Sequence, residues 1–193
     1  MKESQRQSKS HVFPFWSQRA FSLHETIVTL AVVSTVATVA IPSFQKLVSS
    51  QRIAGAVNTL ITALYLTRSE AIKRGEAAVL CPSRDARGCT NGGSDWEEGY
   101  LLYVDRNDNR EVDANEPVIQ VFGATHRVRL QNTSRHDHVR YKANGMATLT
   151  NATFIFCDIH GRSAPKAVII SNSGRARTSD RMPGGAAITC STT

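Results

Sequence analysis

Glu25 is the only formally charged side chain between Phe21 and Ile41, in a run that is otherwise mostly apolar. In a membrane such a carboxylate is costly and requires a cationic partner. Toward the other end of the chain Arg162, Lys166, Arg175, Arg177 and Arg181 gather among Gly and Ser residues that leave the backbone accessible. Arginine forks take phosphate oxygens bidentately. Arg175 and Arg177, two apart, share a face if the segment is extended. Further cations stand at Arg127, Arg129, Arg135, Arg140 and Lys142. No aromatic is interleaved with the C-terminal arginines, so base stacking is not implied. The chemistry on offer is phosphate contact, independent of sequence and weakened by salt. An ordinary solvated basic tail has the same composition.

Three other clusters need a reading. Asp105, Asn107, Asn109, Asp113 and Glu116 fall at the first, third, fifth, ninth and twelfth places of a twelve-residue stretch, the oxygen spacing of a calcium loop. Arg110 occupies the sixth place, where such a loop needs Gly, and the flanks read as strand. The stretch is therefore read as a polar Asn/Asp turn. His136-Asp137-His138 lies in a polar stretch between strands and reads as loop, with no metal assigned. Cys81, Cys89, Cys157 and Cys190 make an even count, which in an exported domain means disulfides. Of the three connectivities, pairing of neighbours, Cys81–Cys89 and Cys157–Cys190, is the simplest. No nucleophile-elbow, zinc-protease or phosphate-cradling motif occurs, and no enzyme or cofactor is expected.

The elements that position these residues follow from the hydropathy pattern. Residues 1–20 carry Lys2, Arg6, Lys9, Arg19 and Glu3, and they read as a leader. The apolar run of 21–41 is long enough to span a bilayer as a helix. The positive leader argues for a cytoplasmic N-terminus and an exported body. Ala20, the small residue, precedes the apolar run instead of following it, unlike a secretory signal. Pro42 falls where the span should end and is expected to bend the helix there. Phe44, Leu47, Val48, Val57, Leu60, Ile61 and Leu64 then recur three or four apart, so the helix continues as an amphipathic segment over 42–75, with Gly75 as its stop. Beyond it short apolar runs predict strands at 77–81, 99–104, 118–122, 128–130, 152–156 and 167–171. The fold class is α+β: a long N-terminal, partly transmembrane helix on an antiparallel β-rich head over 76–193. The formal charge of the whole chain is +7, of which residues 1–20 carry +3 and the remainder +4. Basicity alone is thus a weak argument for nucleic acid.

The spacing of Ala20, Phe21, Glu25 and Pro42 on the apolar run resembles the class III signal of type IV pilins and type II secretion pseudopilins. The resemblance implies that a prepilin peptidase cuts between Ala20 and Phe21 and that the new amino terminus is methylated. It also implies that Glu25 pairs with the terminal amine of a neighbouring subunit as a filament grows. Ala20 stands where the family normally has Gly, and His24 where an apolar residue is usual. Arg68-Ser69-Glu70-Ala71-Ile72, Cys81-Pro82-Ser83 with Cys89, Trp96-Glu97-Glu98-Gly99-Tyr100, Asp105 to Asn109 and Glu116-Pro117-Val118 narrow the likeness to the GspH/FimT branch. Gly174-Arg175-Ala176-Arg177 resembles the Gly-Arg-x-Arg motif of FimT-type minor pilins that bind DNA during natural transformation. What this implies is a minor pilin in the inner membrane and then the pilus. Its partners would be other pilins or pseudopilins, the peptidase and DNA. Gly174, Arg175, Arg177, Arg181, Arg162 and Lys166 would form the DNA contact. The alternative is a GspH-like minor pseudopilin of a type II secretion system, structural only.

Overall fold

The computed structural model describes residues 21–90, 95–133, 137–148 and 152–190. Ala20 with the rest of the leader, Arg135 and His136 lie outside them. In order the elements are α1 (Leu23–Arg74), β1 (Ala77–Pro82), a short 3-10 turn (Asp95–Glu98), β2 (Gly99–Asp105), β3 (Val118–Gly123), β4 (Val128–Asn132), β5 (Val139–Tyr141), β6 (Ala147–Thr148), β7 (Thr153–Asp158), β8 (Lys166–Ile170) and β9 (Ala176–Ser179). The chain divides into two compact units between Ile41 and Pro42, and α1 contributes to both.

In the first unit the helix is exposed all round, and α1 is long and apolar enough to cross a membrane. Its hydroxyl side chains do not offend that reading. Thr29, Ser34, Thr35 and Thr38 each donate to the main-chain carbonyl three residues earlier, at 2.7–2.9 Å. Every hydroxyl proton so placed is satisfied without water, the condition for polar groups at membrane depth.

In the second unit α1 acquires a buried stripe: Ser49, Ile53, Val57, Leu60, Ala63, Leu64, Thr67, Glu70 and Ala71. The steps of three and four keep one face on the core. Gly75 ends the helix at φ 68°, its N–H donating to the Ala71 carbonyl at 3.0 Å, a left-handed cap that costs glycine nothing. Glu70 is buried in the last turns, and the Arg74 guanidinium 2.7 Å away holds its carboxyl below the usual range.

The strands form two antiparallel sheets, ordered β3-β2-β1-β5-β6 and β4-β7-β8-β9. Both face the helical stripe across one core. Leu80, Leu102 and Tyr141 come from the first sheet, Leu130, Phe154, Phe156, Val168 and Ile170 from the second, and Ile53, Leu60 and Leu64 from α1. Trp96 of the 3-10 turn is fully buried and meets Phe154 edge-on at 4.7 Å between ring centres. The back of the first sheet is also covered: Val79, Cys81, Leu101 and Tyr103 form a second cluster, with Cys89 and Val112 packed on it.

The fold is the α+β class read from the sequence, one long helix followed by antiparallel strands. The six expected strands form. β5, β6 and β9 are additional, and the strands divide between two sheets. β5 and β6 are three and two residues long, too short for alternation to register. In β9 only Ala176 is buried, and the strand lies at the outer edge of its sheet. An edge strand needs little apolar content.

Candidate functional site

The basic C-terminal segment is a turn leading into that edge strand. Ser171 to Gly174 form the turn, closed by the Gly174 N–H on the Ser171 carbonyl at 2.8 Å and by the Ser171 N–H on the Arg175 carbonyl at 3.0 Å. Gly174 stands at φ 79°, and a Cβ there would lie 2.3 Å from the Gly145 carbonyl oxygen and 3.0 Å from the Tyr141 ring. Only glycine fits. The Gly145 carbonyl belongs to a second turn of the same form, Lys142 to Gly145, and the Ala147 N–H donates to the Asn172 carbonyl at 3.1 Å to join the two.

Helix α1 locks this junction. Arg68 Nη1 donates to the Gly174 carbonyl at 3.2 Å, and the Tyr141 hydroxyl donates to the same oxygen at 3.4 Å. Burial pushes the Tyr141 phenol up to about 12, so it stays a donor across the physiological range. The Tyr65 hydroxyl donates to the Ala176 carbonyl at 3.4 Å. These three donors fix the main chain from Gly174 to Ala176.

The strand period then sets the side chains. Gly174 and Ala176 are buried, while Arg175 and Arg177 are exposed. Ala176 pairs with Ile170 in the core, whereas Arg177 pairs with Ile169, so the two arginines emerge from the face turned away from the core. Among the described residues neither guanidinium is paired with a carboxylate, and both charges are available.

The other sequence-selected cations are dispersed. Lys166, at the start of β8, is held in an ion pair with Asp180. Arg181 Nη1 donates to the Gly185 carbonyl at 3.0 Å, inside its own turn. Arg162 is exposed in the turn after β7, its main-chain N–H on Asp158 Oδ2 at 2.9 Å. Burial raises the Asp158 carboxyl, but donors from Arg162, Ser49 and His160 outweigh it and hold the group low. Because β8 and β9 run antiparallel, Arg162, Lys166 and Arg181 lie at one end of the hairpin and Gly174-Arg175 at the other, with Arg177 between. Arg140 is bound to Asp108 at 2.8 Å and does not join them. Lys142 is exposed at the start of the turn whose Gly145 carbonyl meets Gly174. The contacts of Arg68 and Tyr65 with this segment are not legible in the sequence, because they span more than 100 residues.

In the 105–116 stretch Asn107, Asn109, Asp113 and Glu116 are bonded within the loop, while neither Asp105 carboxylate oxygen has a hydrogen-bond partner among the described residues. Asp113 Oδ2 accepts the Asn107 and Asn109 amides at 2.7 and 2.8 Å, and Glu116 Oε1 accepts the Arg106 N–H at 2.7 Å. Asp105 is buried, its carboxyl pushed up by that burial, with Arg140 Nε 3.8 Å from Oδ2. Arg110 adopts φ 66° in the place where a calcium loop has Gly. Among the described residues no group of three or more His, Cys, Asp and Glu side chains is arranged to hold a metal ion. Cys81 is bonded to Cys89 across 5.6 Å between Cα atoms, and Cys157 to Cys190 across 6.0 Å.

At the helix start, Ser22 Oγ accepts the Glu25 N–H at 3.2 Å, and the Ser22 carbonyl accepts the Thr26 N–H. Ser22 is therefore the N-cap, with Glu25 three residues in, the spacing of a capping box. The carboxylate sits in the first turn, where the helix dipole favours negative charge. Phe21 is exposed beside it, and Pro42 lies inside α1.

Comparison with known proteins bears on this arrangement. Residues 56–174 match the family model described as type II transport protein GspH. Pilin-like protein PilA1 of Thermus thermophilus is 30% identical over 174 residues, covering 83% of this chain and 98% of that protein. The type IV minor pilin FimU of Pseudomonas aeruginosa shares the fold, with a TM-score of 0.52 at 18% identity over 67% of this chain and 90% of FimU. The family match closes at Gly174, so Arg175 and Arg177 stand just beyond it.

Proposed function

The chain belongs to the GspH family of pilin-like proteins, and from that premise we propose that it is a minor pilin of a type IV pilus whose head binds DNA. Membership supports a filament subunit anchored by α1. In this reading the peptidase cuts between Ala20 and Phe21 at the inner membrane, and the methylated amine stays cationic. Glu25 then pairs with the amine of a neighbour, so that two isolated charges in low dielectric become one pair. The helix dipole at Ser22 lowers the cost of the carboxylate before that partner arrives.

The observation that carries the DNA reading is the free pair Arg175 and Arg177 on a main chain fixed by Gly174, Arg68 and Tyr65. Two unneutralised forks at adjacent outward positions of one strand suit phosphate oxygens. Binding of this kind is led by counterion release and does not read sequence. The family description favours a second reading, a minor pseudopilin of a type II secretion filament with no nucleic acid.

Titrating the full-length chain in detergent with duplex DNA over a salt series separates the two. The parent is expected to bind at low salt with log Kd rising linearly in log salt. The Arg175→Gln, Arg177→Gln double variant is expected to lose about two units of that slope. A parent that does not bind at low salt, or a variant with an unchanged slope, rejects the DNA reading in favour of the secretion subunit.

A further inference from the structure

Tyr65 changes what the basic segment is able to hold. Tyr65 is 51% exposed on a helix that buries Leu60 and Leu64 beside it, and Ile72, further along the same side, is exposed as well. The Tyr65 hydroxyl is tied to the carbonyl of Ala176, the residue between the two free arginines. A tyrosine has only two side-chain torsions, so one hydrogen bond at its tip leaves the ring nearly fixed and its faces presented. Along the helix Arg68, Ser69, Ile72 and Lys73 continue an open depression from the ring. β9 is the outer strand of its sheet. The edge is thus flanked on its core side by an aromatic plane and on its other face by two unpaired guanidinium groups.

We propose that this edge is a binding strip for single-stranded nucleic acid, in which Tyr65 stacks on a base while Arg175 and Arg177 hold the backbone. The proposal rests on the nucleic-acid reading above and narrows its ligand. A duplex turns its base faces inward and offers this edge only phosphates. A single strand has both parts, and stacking on an exposed aromatic plane tolerates any base. The aromatic in this proposal arrives from the helix and not from the basic segment, in which none is interleaved.

The test compares an oligothymidylate with a duplex of equal total charge, both titrated into the full-length chain in detergent. Electrostatics alone favours the duplex, whose charge is denser. Here the oligothymidylate is expected to bind at least as tightly. Tyr65→Ala is expected to weaken the single strand about 5-fold or more while leaving the duplex unchanged. Tyr65→Phe, which keeps the ring, is expected to retain binding. Tyr65→Leu, which keeps bulk without a π face, is expected to behave like Tyr65→Ala and controls for a disturbed fold. Unchanged single-strand affinity in Tyr65→Ala, or an equal loss on both ligands, overturns the stacking role and leaves the phosphate reading standing. A parent that binds neither ligand at low salt overturns both.

Discussion

The 105–116 loop and the 171–177 segment look alike as lists of ligand-bearing side chains, and the structure separates them by what those side chains already bond. In the loop, Asp113 holds two asparagine amides, Glu116 holds the Arg106 N–H, and Arg140 holds Asp108 and approaches Asp105. Its Val112 packs on the Val79, Cys81, Leu101 and Tyr103 cluster, so the loop serves as cover for the back of the first sheet. In the segment the polar contacts are reversed. The main chain takes the donors from Arg68, Tyr141 and Tyr65, and the arginine side chains are left unbonded. Spacing of residue types shows which ligands a segment is able to hold. Internal satisfaction decides whether any group is left to hold them.

Each segment has its own disulfide, which gives the largest expected effects. The Cys157–Cys190 bridge encloses Arg162 through Arg181 in a loop of sequence separation 33, whereas Cys81–Cys89 closes a separation of 8 beside the polar loop. In the chain-entropy model, removing the long bridge costs roughly 3.5–4 kcal/mol and removing the short one roughly 2.5 kcal/mol. Denaturant melts of Cys157→Ala, Cys190→Ala and of Cys81→Ala, Cys89→Ala measure both. A larger loss for the short bridge means that its packing over the second apolar cluster outweighs chain entropy.

Gly174→Ala comes next. It adds left-handed strain and a Cβ 2.3 Å from the Gly145 carbonyl, and it is expected to cost roughly 2–4 kcal/mol. Gly185→Ala is the control, because Gly185 has φ 89° with open space around it. Strain alone there is expected to cost about 1 kcal/mol. Equal losses in the two variants, read from thermal melts, mean that the stacked turns yield easily and that the segment is not held as tightly as its contacts imply.

The difference between the two segments was only half legible in the sequence. β1, β2, β3, β4, β7 and β8 were readable because each has an apolar run that a core requires. Gly75 was readable as a helix stop. β9 was not, since Ala176-Arg177-Thr178-Ser179 buries one small side chain and owes its strand to pairing with β8. Gly174, Arg175 and Arg177 are legible from sequence, but Lys166 meets Asp180 only across the β8–β9 hairpin, and Arg181 turns back on the Gly185 carbonyl four residues on. Tyr65 carries a local signal: it is an aromatic one residue off the buried stripe, three residues before an arginine. The same holds for Ser22, a helix-capping residue three before Glu25. Local chemistry of this kind is visible without a fold. The meeting of Arg68 with Gly174 is not, because nothing in either neighbourhood encodes a contact over 106 residues.

The smallest expected effects test the loop half of the comparison. Asp113→Ala releases two exposed asparagine amides into water, and the net loss is expected to be about 1 kcal/mol, since solvent replaces most of each bond. Calcium added to millimolar levels is expected to leave the melting temperature of the parent unchanged. Asp113 and Glu116 already have donors, and the Arg140 guanidinium holds positive charge beside Asp105 and Asp108. A cation entering the loop would have to displace that charge and free Asp113 from both amides. A rise in melting temperature with calcium that Asp105→Asn abolishes would mean the internal bonds are weaker than the ion, and the loop would then join the arginine edge as a surface with unmet valence.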